Sequence, residues 1–401
     1  MKNIRIIIGA PVRGSDLWDR ESEIRRIWKA LESSSVLLSA PRRFGKTSVM
    51  LNLINQPKKG WKGYYIDTEG VSGPEDFVAE LTACLLKDKK FRNLIEKVKR
   101  IIGVGINHIE EVGLAEFKLS LRKSLHKNWQ DKGKELIGLL KNLDIKTIFI
   151  ADELPLLVHR ISQVSDNKEA QNFLFWMRGL RHIPELQEKV RWVIGGSIGM
   201  GKVIERIGAG TKTINDLHNI PIREFSVAVA KEFIKALLRS EADIPNVPKE
   251  IIDKFLDLLG IPIPYFIQIL VVETINEMER AKKDSLSEDI IERAYEDGVL
   301  AAYNRTYFEH YYERLKVHYE PETAEVVKTL LIEVARKDEI SHKELWDMYM
   351  RETRGKGDKD TFSYLLSELE NDFYLVRNIK KDTFRFATKI LKDWWLRYHT
   401  Y

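Results

Sequence analysis

Ser35-Val36-Leu37-Leu38-Ser39-Ala40-Pro41-Arg42-Arg43-Phe44-Gly45-Lys46-Thr47-Ser48 is the stretch that decides the fold. Ser35 to Ser39 is a short apolar run, which predicts a buried strand. From Thr47 to Ile54 the apolar residues continue at helical spacing, which predicts a helix. Between them, Ala40 to Thr47 follows the pattern G-x-x-x-x-G-K-[ST], with alanine in the first glycine position. Each part of that pattern has a physical task. The loop turns backbone N–H groups inward as an anion nest, and the start of the helix adds its positive dipole end. Gly45 lets the backbone come close to phosphate oxygens, Lys46 places a point charge between the β- and γ-phosphates, and Thr47 offers a hydroxyl to Mg²⁺. Ala40, Pro41, Arg42, Arg43, Phe44, Gly45, Lys46, Thr47 and Ser48 are therefore the expected cradle for ATP or ADP. A chance Gly-Lys-Thr is the bland alternative, but strand, loop and helix in register weigh against it.

Downstream, Lys146 to Ala151 (KTIFIA) reads as a third buried strand after Tyr64 to Asp67, and it runs into Asp152-Glu153. A carboxylate at the carboxyl end of a parallel strand points into the crevice where ligands bind. Asp152 is expected to hold Mg²⁺ and Glu153 to orient and deprotonate the attacking water. A solvated acidic strand end is the ordinary alternative; a phosphate loop about one hundred residues upstream favours the catalytic one. A fourth strand, Arg191 to Gly195, ends in Gly196-Ser197, and Ser197 is a candidate γ-phosphate sensor, weighed evenly against a turn serine. Arg178 and Arg181 lie on one helix face at i, i+3 spacing and are candidate γ-phosphate-sensing arginines, against the commoner reading of solvated helix charges.

The alternation of β-rich and helical runs over residues 1–222 predicts an α/β domain with a parallel sheet, carrying a charged helical insertion at about 87–143. Residues 223–318 read as helices without strands: 227–238, 248–259, 265–280 and 287–308. Residues 319–401 give three helical patterns, 323–336, 341–351 and 359–371, then strand-like runs 374–377 and 383–386, a winged-helix pattern. The chain has 401 residues, 44% hydrophobic and 31% charged, the composition of a globular protein of two or three domains. Cys84 is its one cysteine, so no intrachain disulfide forms, and no Cys/His set has zinc spacing. No run of about 18 apolar residues is present, so no membrane span is expected, and the compartment expected is the cytoplasm.

Together these motifs make the chain similar to an archaeal and bacterial ATPase family of the STAND group, within the AAA+ superfamily. The resemblance covers roughly residues 9–310. Gly9-Ala-Pro-Val-Arg-Gly14 and Trp18-Asp-Arg-Glu21 resemble the family's adenine-side box, with Asp19 where glycine is usual; this implies Arg20 as a nucleotide contact. PRRFGKTS at 41–48, ADE at 151–153, MRGLR at 177–181, GGSIGMG at 195–201 and TINDLHNIPI at 213–222 match its loop, acidic strand end, arginine helix, sensor strand and link to the lid. GIPIPYFIQIL at 260–270 resembles the lid's glycine-proline motif, which implies Pro262 as a further contact. The resemblance implies slow hydrolysis of ATP to ADP and phosphate, a nucleotide-driven switch coupled to an unidentified protein partner, and room for assembly on ATP.

A second expectation stands beside it. Origin-recognition initiators also join AAA+, lid and winged helix, which would make DNA the partner. Residues 320–401 hold 15 Lys/Arg against 16 Asp/Glu, a net of −1. DNA affinity rests mainly on neutralised phosphates. The third helix, the expected reader, carries Asp360, Glu368 and Glu370; only Arg377, Lys380, Lys381 and Arg385 near the wing form a basic patch. The protein partner is therefore favoured, with DNA contact confined to the wing. Trp394-Trp395 is read as packing.

Overall fold

The computed structural model describes residues 3–88, 95–102, 114–126, 128–142, 144–196 and 199–400. The chain forms two compact units, Asp19–Ile222 and, together, Met1–Trp18 with Arg223–Tyr401.

The first unit is built on a parallel sheet. Its elements are α1 (Glu21–Leu31), β1 (Val36–Ser39), α2 (Lys46–Asn55), β2 (Trp61–Asp67), α3 (Pro74–Leu86), α4 (Ile95–Ile102), α5 (Leu114–Leu125), α6 (Trp129–Gly138), β3 (Lys146–Asp152), α7 (Leu154–Val164), α8 (Asn167–Arg181), β4 (Val190–Gly196), α9 (Met200–Arg206) and β5 (His218–Pro221). The strand order is β2-β3-β4-β1-β5, every pairing parallel. The expected parallel α/β sheet is thus present. The chain leaves β1 towards one edge, to β2, and leaves β4 towards the other, to β5. That reversal makes the carboxyl ends of β1 and β4 a topological switch point, where a crevice opens. One face of the sheet is sealed by an aromatic core in which Phe149 and Trp192 lie 4.8 Å apart and Phe77 meets Phe173 edge-on. Part of the expected insertion, 87–143, lies outside the described residues; α4, α5 and α6 are its described helices. The stretch 213–222 contains an edge strand, β5. Its exposed His218 and Asn219 give no apolar signal, and only pairing with β1 defines it.

The second unit is mainly helical: α10 (Val227–Ala242), α11 (Lys249–Leu259), α12 (Pro264–Ala281), α13 (Glu288–Arg293), α14 (Thr306–His318) and α15 (Pro321–Lys337). Then come β6 (Ile340–Ser341), α16 (His342–Glu352), α17 (Lys359–Asn371), β7 (Leu375–Asn378), β8 (Thr383–Phe386) and α18 (Lys389–His399). Side-chain caps start several helices: Ser226, Ser287, Asp358 and Thr388 each accept an N–H of the first turn, and Ser341 with Glu344 forms a capping box. The single helix expected over 287–308 is broken. After α13 the chain widens into a π turn at Ala294–Val299 and then reverses. Asn304 fixes that reversal: its Nδ2 donates to Glu273 Oε1 at 2.9 Å and to the Gly298 carbonyl at 3.1 Å. Gly298 is needed there, since a Cβ would stand 2.9 Å from Glu273 Oε2.

The N-terminal segment belongs to this unit. The backbone N–H groups of Ile4, Ile6 and Ile7 donate to Ser240 Oγ, Glu241 Oε1 and Gln268 Oε1 on α10 and α12. Trp394 and Trp395 are buried against Phe308, Tyr374 and Phe386, as a packing pair should be. β6, β8 and β7 form a small antiparallel sheet beside α15–α17. Among the described residues no helix is long and apolar enough to cross a membrane.

Candidate nucleotide site

The loop between β1 and α2 sits at the switch point. Gly45 has φ 89° and Arg43 φ 72°, so two left-handed residues flank Phe44. Backbone of that kind turns successive N–H groups to one side, the geometry of an anion nest. Phe44 is buried and anchors the loop, and α2 begins at Lys46. Arg20, itself buried, donates from Nη2 to the Phe44 carbonyl at 3.0 Å and pairs through Nη1 with Glu23 at 3.0 Å. Its contact is therefore with the loop's backbone from behind. Asp19, before it, has φ 47°, which explains why glycine suits that position. Ala40, Pro41, Arg43, Gly45 and Thr47 are half-buried, Arg42 is exposed, and Ser48 is buried at the start of α2.

β3 delivers the acids. Asp152 is 3% exposed and Lys46 6%. Lys46 Nζ lies 2.9 Å from Asp152 Oδ1 and 3.0 Å from Glu153 Oε1. Thr47 Oγ1 donates to Asp152 Oδ2 at 2.7 Å. The Glu153 N–H donates to Asp152 Oδ1 at 3.0 Å, and Tyr65 Oη donates to Asp152 Oδ2 at 3.1 Å. All four lone-pair directions of that carboxylate are occupied, as a buried charge requires. Glu153 has φ 57° as α7 begins, an uncommon conformation for a residue with a side chain. Burial and the Asp152 carboxylate push the Tyr65 phenol well above its usual range, so it stays a donor.

The glycines ending β4 make room for this cluster. A Cβ on Gly195 would stand 2.4 Å from Met50 Cε and 3.1 Å from Lys46 Cδ; one on Gly196 would meet Pro155 at 2.5 Å. Thr47 and Asp152 are hard oxygen donors side by side, which suits Mg²⁺; that ion takes one or two protein oxygens and completes its shell with phosphate and water.

Of the remaining expected residues, Arg178 and Arg181 lie on α8. Arg181 is bound bidentately to Asp216, Nε–Oδ2 2.7 Å and Nη2–Oδ1 2.9 Å, and Nη2 also donates to the Thr213 carbonyl. Burial raises the Asp216 carboxyl, but the Arg181 guanidinium outweighs it and holds the group below its usual range. Arg178, one turn earlier on α8, has its Nε buried with no hydrogen-bond partner. Ser197 lies outside the described residues. Pro262 is in the second unit, where its carbonyl accepts the Phe225 N–H at 3.1 Å. Sequence reasoning missed Tyr65, Gly195 and Gly196. Gly195-Gly196 at a strand end was a visible signal. Tyr65 was not, because its part depends on the register of β2 against β3.

No family model and no curated protein matches the chain. Solved structures do. The Walker-type ATPase PABY2304 of Pyrococcus abyssi superposes with a TM-score of 0.58 over 96% of this chain and 97% of its own, at 18% identity. The Aeropyrum pernix ORC2 protein, solved as ADPNP–ADP complexes, gives 0.56 over 95% and 93%, at 14% identity. At such identities the likeness is one of fold, a parallel α/β sheet unit followed by a mainly helical C-terminal region, over nearly the whole length of each protein.

Proposed function

We propose that the chain is a Mg²⁺-dependent ATPase of the STAND kind, in which ATP or ADP in the loop switches the availability of a surface for a protein partner. The observation that carries this reading is the closed cluster of Lys46, Thr47, Asp152 and Glu153 at the switch point. It joins a loop with left-handed turns and a lysine to a carboxylate that can accept a proton from water. Lys46 leaves Glu153 for the β- and γ-phosphate oxygens. Thr47 and Asp152 hold the metal, which when bound neutralises charge on those phosphates. Glu153, released from the ammonium, orients water and takes its proton as ADP and phosphate form. Arg178, whose Nε has no hydrogen-bond partner among the described residues, is our candidate for sensing the γ-phosphate, with Ser197, next but one in sequence to Gly195, as its polar counterpart; Arg181 is committed to Asp216. Arg20 acts through the loop, whose Phe44 carbonyl it holds. A cytoplasmic location and assembly on ATP belong to the same reading.

The test is nucleotide occupancy and turnover on the purified chain, beside Lys46→Ala and Glu153→Gln. Slow hydrolysis lost in both, with ADP carried through purification by the wild type, is the expected result. A wild type that neither binds nor hydrolyses ATP with Mg²⁺ refutes the reading.

A second reading takes residues 319–401 as a winged helix that contacts DNA. It is favoured by the turn between β7 and β8, where Ile379 is 84% exposed beside Lys380 and Lys381. Against it, Arg377 is paired with Asp382 at 2.7 Å, and Lys381 is 3.7 Å from Glu339. Duplex binding at low salt with a steep salt dependence would support it; no gel shift at low salt removes it.

A further inference from the structure

Among the described side chains that bond Asp152, Tyr65 is the one with no other task in the proposed cycle. Lys46 must leave Asp152 Oδ1 for phosphate, and the Thr47 hydroxyl must turn its oxygen to the metal. The phenol of Tyr65 stays where it is, 3.1 Å from Asp152 Oδ2. β2 and β3 are paired in register, with Tyr65 opposite Ile150 and Asp67 opposite Asp152. Side chains two apart on a strand share a face, so Tyr65 points to the side on which Asp152 projects, and a phenol is long enough to span the offset. The same strand end fixes the backbone of Asp152. Thr68 donates to the Asp152 carbonyl from Oγ1 at 2.6 Å and from its N–H at 3.3 Å. One segment, residues 65–68, therefore grips the acid at both its carbonyl and its carboxylate.

An aspartate carboxylate turns easily about its last torsion, whose wells are broad. Once Lys46 has gone to phosphate, the Glu153 N–H remains on Oδ1, and Thr47 and Tyr65 remain on Oδ2. With the Thr47 oxygen shared with a metal, Tyr65 is the side-chain donor whose position the metal does not set, and it holds the plane of the carboxylate. Groups that orient a metal-holding side chain in this way are commonly worth about 10- to 100-fold in metal affinity.

We propose that Tyr65 is a positioning residue for the divalent cation that accompanies the nucleotide: it sets the orientation of Asp152 and so the affinity for Mg²⁺. This rests on the ATPase reading above. Tyr65→Phe removes the hydroxyl and keeps the ring. The full chain is saturated with ADP and titrated with Mn²⁺ as a reporter for Mg²⁺, with free ion counted by electron paramagnetic resonance. ADP affinity in EDTA and thermal unfolding are measured on the same samples. The expected result is cation affinity lowered roughly tenfold, with ADP affinity in EDTA and the unfolding temperature nearly those of the wild type. In an Asp152→Asn background the same substitution should have no further effect on the cation.

Equal cation affinity in wild type and Tyr65→Phe overturns the proposal. So does a variant that loses ADP in EDTA or does not fold, because the hydroxyl would then serve the fold. A wild type that binds ADP but holds no cation with it sinks the ATPase reading itself, a different and separable outcome.

Discussion

Lys46 Nζ lies 3.0 Å from Glu153 Oε1, so the lysine of the loop and the carboxylate that follows β3 hold each other. In the proposed cycle neither group acts until the pair opens, and a γ-phosphate is the anion proposed to replace Glu153 at the ammonium. Glu153→Gln keeps the side chain's size and removes its charge. ATP binding should persist or tighten, because the ammonium is released more easily. Hydrolysis should fall by about 10²-fold or more, the loss usual for a water-activating base. Single-turnover hydrolysis beside a nucleotide titration checks this, and unchanged turnover removes Glu153 from the role.

Lys46→Ala acts from the other side. It takes away the phosphate contact and leaves Asp152 and Glu153 without their shared counter-charge. Removing one partner of a buried pair costs about 3–5 kcal/mol. Glu153 keeps some solvent contact, with 19% of its side chain exposed, so the cost should fall at or below the lower end. The expected outcome is lost ATP affinity together with a lower unfolding midpoint in denaturant. Retained affinity would sink the phosphate-loop assignment.

Gly195→Ala tests the space around the lysine stem. The new Cβ would stand 2.4 Å from Met50 Cε and 3.1 Å from Lys46 Cδ. Met50 can swing, but Lys46 is held at its far end by two carboxylates. Overpacking of this kind costs about 1–3 kcal/mol. Part of it should appear as a displaced ammonium, hence roughly tenfold weaker ATP binding for each ~1.4 kcal/mol that falls on the site. Equal affinities in equilibrium titrations of both proteins would show that Met50 absorbs the whole change.

The elements that carry the candidate site were legible wherever one segment had its own pattern. Val36–Leu38 and Ile148–Ala151 are apolar runs that announce buried strands, and Gly45-Lys46-Thr47 and Asp152-Glu153 stand at their carboxyl ends, where a parallel sheet puts its ligands. What required long-range pairing was not legible. β5 is a strand because His218 to Pro221 pair with Val36 to Ser39, although two of its residues are exposed and polar. Tyr65 reads as one more aromatic strand residue until register sets it beside Asp152. Arg178 and Arg181 look equivalent on a helical wheel. They are not, since Asp216 comes from a segment thirty-five residues on and takes only the second. The break after α13 rests on Asn304 reaching Glu273 on another helix, which no local propensity contains.

That Arg181 clasp gives a further expectation. Arg181 is almost wholly buried, and its fork is matched to Asp216 in two bonds. Arg181→Ala leaves Asp216 without its guanidinium and should destabilise the α/β unit by about 3 kcal/mol. Lysine cannot reproduce two parallel bonds, so Arg181→Lys should recover only part of that. Chemical denaturation of the three proteins ranks them. If Arg181→Ala were as stable as the wild type but unable to hydrolyse ATP, Arg181 would return to the role of γ-phosphate sensor.

His399, in the last turn of α18, makes the C-terminal region acid-sensitive in a defined window. Its ring stacks on Tyr312, with centroids 3.8 Å apart and planes 8° apart, and Nε2 is buried with no hydrogen-bond partner. Burial is the main cause that lowers its pKa to about 4, with Arg305, Lys328 and Lys316 adding to it against Glu309. The unfolded ring titrates near 6.5. Folding therefore favours the neutral form: the stabilisation is complete above pH 6.5, is lost progressively as pH falls to about 4, and changes no further below that. The residue keeps some solvent contact, so the effect is on the order of 1 kcal/mol, or about 2–4 °C in unfolding temperature. His399→Phe keeps the stack and removes the proton site. At pH 7.5 the two proteins should melt alike, and at pH 5 the variant should melt higher, with the carboxylates common to both cancelling in the difference. Parallel melting curves for the pair across pH 7.5 to 4.5 would mean that His399 is solvated and titrates normally in the folded chain.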